Sequence, residues 1–208
     1  MSMTAEQFPQ ITTKRLVLRE LRQTDHLALY RIFKDPDVTR FYNIQAFDSL
    51  EDSLALLERR MSRYRQGRGI HWAITLNGQE DVLIGCCGFN AWFPRRRMGE
   101  IGYELERPYW NQGIMTEALR QIVSYGFNIK RMNSIEAWVM PGNIASVRVL
   151  TKLDFQSKGI KENKGYWNGR FHDLEQFTYN RTQFDHSSKS STSKSGGTPQ
   201  IYNCTNNN

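Results

Sequence analysis

Met98-Gly-Glu-Ile-Gly-Tyr-Glu-Leu-Glu-Arg-Pro-Tyr-Trp-Asn-Gln-Gly-Ile-Met-Thr-Glu-Ala-Leu119 reads as a strand, a tight loop and the start of an amphipathic helix running to Lys130. Pro108 has no N–H to donate and ends strand pairing. Gly113 lets the backbone approach a ligand with no Cβ in the way. The helix that opens behind it presents unpaired N–H groups at the positive end of its dipole, which suits a phosphate or pyrophosphate. The loop lacks the Gly-Lys-Ser/Thr ending of an ATP-binding P-loop.

Outward from this loop the patterns place a sheet on both sides. From Ile114 to Ile129, Ala118, Leu119, Ile122, Val123 and Phe127 recur on one side, so this helix packs on a sheet. Upstream, His71–Leu76 and Val82–Phe89 read as strands joined by the turn Asn77-Gly78, and Ala91–Arg97 connects them to the strand at Met98. His71 reads as a strand-edge residue. Downstream, Ser134–Val139 is a strand, Pro141-Gly142 turns, and Asn143 caps a helix over Ile144–Leu153. Phe155–Trp167 and Phe171–Tyr179 form a hairpin through Asn168-Gly169. Nearer the start, Ile11–Leu21 alternates like a strand, a helix capped by Thr24 stops at Asp35-Pro36, and a second runs from Asp48 or Ser49 to Gly67. The expected fold class is α/β of the α+β type: one domain over residues 11–180, with a mixed, mostly antiparallel sheet and helices on both faces. Residues 1–10 read as a flexible arm and 181–208, rich in Ser, Lys, Gly and Asn, as a disordered polar tail.

Composition narrows the function. With 208 residues and 39% hydrophobic content the chain can bury a full core without a second domain. No run approaches the roughly 18 to 20 apolar residues of a membrane span, and no signal-peptide pattern opens the chain, so a cytoplasmic protein is expected. Cys86 and Cys87 are adjacent in a strand and point to opposite faces, and with Cys204 they lack the spacing of a metal site. The net charge is +7; the tail from Arg181 contributes Arg181, Lys189 and Lys194 against Asp185, leaving +5 for the body. That suits an anionic ligand, and without a nucleic-acid-binding signature it does not point to DNA or RNA. Arg59, Arg60, Arg63, Arg65 and Arg68 form a basic run that reads as a solvated helix face or as a face for an acidic substrate or nucleic acid.

Several separated motifs fall in one order: Thr13-Lys14-Arg15-Leu16-Val17-Leu18-Arg19, Gly99-Glu100-Ile101-Gly102-Tyr103-Glu104-Leu105, Trp110-Asn111-Gln112-Gly113-Ile114-Met115-Thr116-Glu117-Ala118, Asn143-Ile144-Ala145-Ser146 and Lys152-Leu153-Asp154-Phe155. On these the chain resembles the GNAT superfamily of acetyltransferases, and within it the Rim-type enzymes that modify ribosomal-protein N-termini. Trp110 and Met115 depart from the general superfamily loop, and Asp154 stands where Gly is frequent.

The resemblance implies acetyl-coenzyme A as donor, no metal, and a primary amine as acceptor, either a protein N-terminus or a small molecule, attacked directly in a ternary complex. The monomer and the homodimer both fit. A non-catalytic coenzyme A-binding or peptide-binding module on the same fold is the alternative. The pantetheine arm would pair with backbone groups of Tyr103 to Leu105, and the pyrophosphate would meet Asn111, Gln112, Gly113, Ile114, Met115 and Thr116. Asn143 and Ser146, one helical turn apart, would face the thioester. Glu100 and Glu104 are the candidate bases, on one face if their strand is regular. Ser146 is the candidate acid, with Tyr103 or Tyr109 as substitutes, and a backbone N–H near Leu105 is the expected oxyanion donor.

Overall fold

The computed structural model describes residues 7–192, with side chains through 187. Eight strands make one sheet in the order β1-β2-β3-β4-β5-β6-β8-β7. They are β1 (Ile11–Thr12), β2 (Leu16–Arg19), β3 (Ile70–Leu76), β4 (Gly85–Phe93), β5 (Met98–Leu105), β6 (Ser134–Val139), β7 (Gln156–Trp167) and β8 (Arg170–Asn180). All neighbours are antiparallel except β5 and β6. Among the described residues six α-helices accompany the sheet: α1 (His26–Phe33), α2 (Pro36–Thr39), α3 (Leu50–Arg65), α4 (Ile114–Asn128), α5 (Ile144–Lys152) and α6 (Arg181–Thr192). This is the mixed, mostly antiparallel sheet with helices on both faces that the patterns predict.

Strand alternation sorts side chains between two cores. Ile70, Trp72, Ile74, Phe89 and Ile101 meet Ala118, Leu119, Ile122 and Phe127 of α4. On the other face Ala73 and Cys86 meet Leu29, Ile32 and Phe33 of α1 and Leu56 and Leu57 of α3. The adjacent thiols Cys86 and Cys87 divide between these cores as expected. Each fully buried Leu, Ile or Phe contributes about 1.5–3 kcal/mol.

Several local expectations are corrected. The strand expected over Ile11–Leu21 folds back on itself, Ile11 pairing Leu18, because the polar run Thr12–Arg15 makes a turn in which Leu16 N donates to Thr13 Oγ1 at 3.0 Å. Asn77-Gly78 turns the chain with Gly78 at φ 79°, but β3 and β4 are not joined there directly: their last register pair is Ile74 with Gly85. Leu83 and Ile84 are buried, so the intervening segment is drawn into the core. β4 also extends to Phe93, taking in residues assigned to a connection. In contrast, Asn168 (φ 51°) and Gly169 (φ 72°) form the expected tight hairpin turn between Trp167 and Arg170. Asp154, at φ 65°, takes the left-handed position that Gly would fill after α5.

Both ends are more ordered than their composition suggests. Phe8 packs edge-on against Tyr64 and Trp72, and Trp72 Nε1 donates to Pro9 O at 2.7 Å. Residues 1–6 of the arm lie outside the described residues. The tail does not begin in disorder: α6 occupies its first part, anchored by Phe184 stacked on Phe127 at 4.8 Å and by Arg181 donating to the carbonyls of Met132 and Phe127. One aromatic and one arginine outweigh the polar composition because they meet carbonyls and rings left open at the end of α4. The rest of the tail, with Cys204, lies outside the described residues. Replacing Phe184 by Ala is expected to cost about 1–2 kcal/mol in urea unfolding, below the 3–5 kcal/mol of a fully buried Phe, because this ring is only partly buried.

Candidate active site

The site begins where the sheet opens. β5 and β6 share only three register pairs, Met98 to Glu100 with Ser134 to Glu136. Beyond them the strands part, and a cavity of about 1410 Å³ is lined by Ile101–Leu105 on one side and Ala137–Met140 on the other. Glu106 N donates to Ile84 O at 2.8 Å, so by strand alternation the N–H and C=O groups of Glu104 also face β4, while those of Tyr103 and Leu105 face the gap. Trp110 Nε1 takes the Leu105 carbonyl at 2.7 Å. The gap edge of β5 thus offers backbone groups to an extended ligand.

At one mouth stands the N-terminus of α4. Gly113 is its N-cap at φ 74° with no side-chain cap, and the first internal bond runs from Glu117 N to Gly113 O at 3.0 Å. The N–H groups of Ile114, Met115 and Thr116 therefore have no acceptor within the helix. The turn between β1 and β2 braces this loop. Arg15 Nε donates to Glu117 at 2.6 Å, Arg15 Nη1 to Gln112 O at 3.0 Å, and Thr13 Oγ1 to Glu117 at 2.7 Å. Burial alone would raise the Glu117 pKa, but the bonds from Thr13 and Arg15 hold it below the usual value. Asn111, Gly113, Ile114, Met115 and Thr116 line the cavity. The Gln112 side chain does not reach into the loop's interior; it donates to Pro108 O at 2.8 Å.

Across the gap, Asn143 caps α5 by accepting from Ser146 N at 3.1 Å, and Ser146 Oγ lies 2.5 Å from Tyr103 OH. Burial raises the Tyr103 pKa, against the opposing effect of the bond to Ser146, so the phenol keeps its proton. This couples a hydroxyl of β5 to one of α5 beside the exposed backbone of Tyr103 and Leu105.

Beneath the sheet, on the α3 side, the polar groups differ. Glu100, Gly102 and Glu104 share one face of a regular β5; the irregularity sits on β4, where Asn90 is left unpaired between Phe89 and Ala91. That bulge sets the Asn90 side chain where a Cβ on Gly102 would collide with it at 2.6 Å. Asn90 also reaches Glu100 and contacts His71 Nε2 at 3.1 Å. Burial raises the Glu100 pKa above the ordinary glutamate value; Glu136 acts the same way, while Lys164, Asn90 and Arg63 oppose it. His71 is no strand-edge residue. It pairs with Gly88 of β4 near the start of β3 and is 4% exposed, held neutral by burial and by Arg60, Arg63 and Arg59, and its Nδ1 has no hydrogen-bond partner among the described residues.

Glu104 does not share Glu100's situation. It is 4% exposed, with its oxygens taken by Arg60 at 2.5 and 3.0 Å and by Tyr42 OH at 2.7 Å. Burial opposes the Arg60 charge and the neighbouring Glu104 more than compensates it, so the guanidinium pKa is raised. Three donated bonds from Arg60 and Tyr42 already hold this carboxylate in the wall of the cavity. Charge along the chain conceals this role, since Arg60 is one arginine among five. Helical phase reveals it, because Leu56, Leu57 and Arg60 fall on the single buried stripe of α3. Nothing in the sequence pattern points to Asn90 or Tyr42.

A sheet parted between two parallel strands, with a free helix N-terminus at one mouth, defines the architecture of an acyl-coenzyme A-dependent transferase. Residues 15–156 match the family model described as the acetyltransferase (GNAT) domain, and the chain belongs to that family. It is 34% identical over 171 residues to the "uncharacterized N-acetyltransferase YoaA" of Bacillus subtilis (strain 168), covering 82% of this chain and 96% of that protein. The fold matches RimL, a ribosomal L7/L12 α-N-protein acetyltransferase solved in complex with coenzyme A, with a TM-score of 0.72, 20% identity, and coverage of 82% of this chain and 97% of that one. It also matches Mycobacterium smegmatis RimJ in complex with a coenzyme A disulfide, with a TM-score of 0.71, 22% identity, and coverage of 81% and 83%. The chain is thus an acyl-coenzyme A-dependent N-acetyltransferase by family.

Among the described residues no helix is long and apolar enough to cross a membrane, and no group of three His, Cys, Asp or Glu side chains is placed to hold a metal ion.

The buried pair makes a stability prediction. Arg60→Met leaves Glu104 without its counter-charge and is expected to cost about 3–5 kcal/mol in urea unfolding, whereas the double variant Arg60→Met, Glu104→Met should recover most of that loss. Equal destabilisation by the single and double variants would contradict the pairing.

Proposed function

We propose that the chain moves an acetyl group from acetyl-coenzyme A to a primary amine by direct attack in a ternary complex. The observation that carries this reading is the passage through the sheet between β5 and β6, lined at one mouth by the N-terminus of α4 and at the other by Glu100 and α3. Donor and acceptor then approach the Tyr103–Leu105 edge from opposite sides. No acetyl-enzyme is required.

In this reading the N–H groups at the start of α4 hold the pyrophosphate, with Gly113 keeping the approach open, and the pantetheine amides pair with Tyr103 and Leu105 as an added strand. The Leu105 N–H faces the thioester oxygen as charge develops on it. Glu100 takes the amine proton. Its raised pKa brings it nearer to the working pH, which favours proton transfer at neutral pH. As the tetrahedral intermediate collapses, the Tyr103–Ser146 pair donates a proton to the departing thiolate; Tyr103 passes its proton or relays that of Ser146. Asn143 serves by capping α5 and holding Ser146 in place. Glu104, the second carboxylate nominated from sequence, holds the wall of the cleft.

Two measurements test the assignment. Gly113→Val should raise the coenzyme A dissociation constant about 5- to 30-fold, since φ 74° costs a non-glycine residue about 1–2 kcal/mol while its Cβ would meet only Arg15 at 3.7 Å. An unchanged constant would remove the loop from the cofactor site. Glu100→Gln should lower kcat/KM about 10²- to 10⁴-fold. It should also abolish an activity limb that rises with pH above the ordinary glutamate range, a limb independent of the acceptor amine's own pKa. The same variant should be at least as stable as the parent at neutral pH. A carboxyl whose pKa is raised by folding stabilises the protein below its unfolded pKa, and that stability is lost as pH rises through the folded value. Loss of stability with no loss of rate would make Glu100 a structural charge.

A further inference from the structure

Two arginines at the acceptor mouth have no role in the reading above. Arg59 and Arg63 stand one turn apart on α3 and line the same cavity as Glu100 and Gly102. Neither has a carboxylate within ion-pair distance among the described residues, whereas neighbouring Arg60 and Arg65 are paired with Glu104 and Glu58. Arg63 is half-buried and spends one N–H on Asn90 O at 3.2 Å. The rest of both guanidinium forks is uncommitted. Like charges at this spacing repel. Burial and the neighbouring Arg63 and Arg60 both disfavour the Arg59 charge. Two cations side by side at the edge of a cavity, neither in ion-pair contact with a carboxylate among the described residues, make a site that an external anion would relieve.

These groups do not belong to the cofactor's pyrophosphate. α3 packs on the core of Ala73 and Cys86, while α4, with its free N-terminus, packs on the opposite face of the sheet. Among the other basic side chains that line the cavity, Arg107 pairs with Asp37 at 2.8 Å, while Arg40 and Lys164 lie over the rings of Phe41 and Trp138. Beside the arginines lie the Glu100 carboxylate, which can take an amine, and His71, whose Nδ1 has no hydrogen-bond partner among the described residues and which also lines the cavity. The acceptor half therefore offers a carboxylate and an unpaired ring nitrogen inside and two guanidinium groups outside. Arginine forks match planar carboxylates and phosphates in a bidentate manner.

We infer that the acceptor is a primary amine that also carries an anionic group, a carboxylate or a phosphate, with the amine held at Glu100 and the anion held by Arg59 and Arg63. The inference rests on the amine-acetylating reading given above. It sets the acceptor apart from polyamines and other polycations, which the two arginines would repel.

The test uses the full chain with acetyl-coenzyme A and a ladder of ω-amino carboxylates of increasing length. Matching ω-amino amides, diamines and ω-aminoalkyl phosphates serve as neutral, cationic and phosphate arms. At the best length the anionic amine should exceed the amide in kcat/KM by about 10- to 100-fold, the value of one charge-assisted bidentate contact, and the diamine should rank last. Whichever of carboxylate and phosphate is preferred names the source of the anion. Arg59→Glu, alone and with Arg63→Glu, should raise the acceptor KM and reverse the order of the arms, while Arg59→Lys should keep it. Arg59 is exposed, so its variants test the inference even if replacing Arg63 disturbs Asn90. A charge-blind ladder, or a preference that survives charge reversal, would overturn it. Calorimetric titration of the coenzyme A-loaded protein with the same ω-amino carboxylate separates this inference from the catalytic reading. Arginine-dependent binding without turnover of any amine would sustain the anion site and refute transfer. Turnover of every arm alike would sustain transfer and refute the anion site.

Discussion

β5 and β6 run parallel for three register pairs and then separate, and that separation has a physical cost that most of the surrounding structure serves to meet. Alternate residues past the fork on β5, Tyr103 and Leu105 among them, have backbone groups that a complete sheet would pair, and leaving such groups buried and unpaired costs about 1–3 kcal/mol each. Trp110 takes the Leu105 carbonyl, and the gap itself stays wide enough for a ligand or solvent to reach the others. Beyond the fork β6 does not end. It continues against β8, which inserts between β6 and β7 and pairs with it from Ser134 to Val139. The sheet is thus held open from both sides, by β4 on β5 and by β8 on β6. A cleft made in this way is a property of the topology, so side chains are free to specialise along it.

The walls differ in kind on the two faces. On the α4 face the fork meets backbone N–H groups and a hydroxyl pair, Tyr103 with Ser146. On the α3 face it meets charges, and these require internal compensation. Arg60 and Glu104 are buried together with Tyr42; replacing such a pair by apolar groups is often neutral for stability, while breaking it is costly. The pair fixes α3 against β5 in one register. That in turn sets Arg59 and Arg63, one position before and three after Arg60, at the rim of the cavity. A buried charge pair that adds little net stability thus determines where two unpaired charges stand.

The fold was legible in the sequence wherever periodicity and turn chemistry agreed, as in the α4 stripe, the Asn168-Gly169 hairpin and the division of Cys86 from Cys87. It was misread where a local signal competed with burial. Asn77-Gly78 does turn the chain, but the apolar Leu83 and Ile84 extend the connection by entering the core. Phe184 and Arg181 are too few to register in composition, yet each meets a specific partner at the end of α4. The loop around Gly113 was legible because one element, strand, loop and helix start, contains all of it. The α3 side of the cleft was not, because Tyr42, Arg60, His71 and Asn90 are brought together only by the fold, and a β-bulge leaves no mark at a single position.

The bulge at Asn90 links these two levels. An extra residue on β4 re-aims one amide so that it touches His71 below and reaches Glu100 beside it, while Gly102 supplies the space that a Cβ would fill. If the Asn90 NH2 faces Glu100, its oxygen accepts from His71 Nε2–H, and the neutral ring is fixed with its Nδ1 lone pair free. The surrounding arginines then act on the two titratable groups in a consistent direction: they keep His71 uncharged, and Arg63 moderates the rise in the Glu100 pKa that burial alone would cause. A carboxylate in the proposed role of proton acceptor at neutral pH needs that balance. Full burial would leave it protonated, and a direct ion pair would hold it ionised and weakly basic. Glu104, two strand positions beyond Gly102, is met by Arg60 and Tyr42 in direct contact, whereas Glu100 is met by the Asn90 amide.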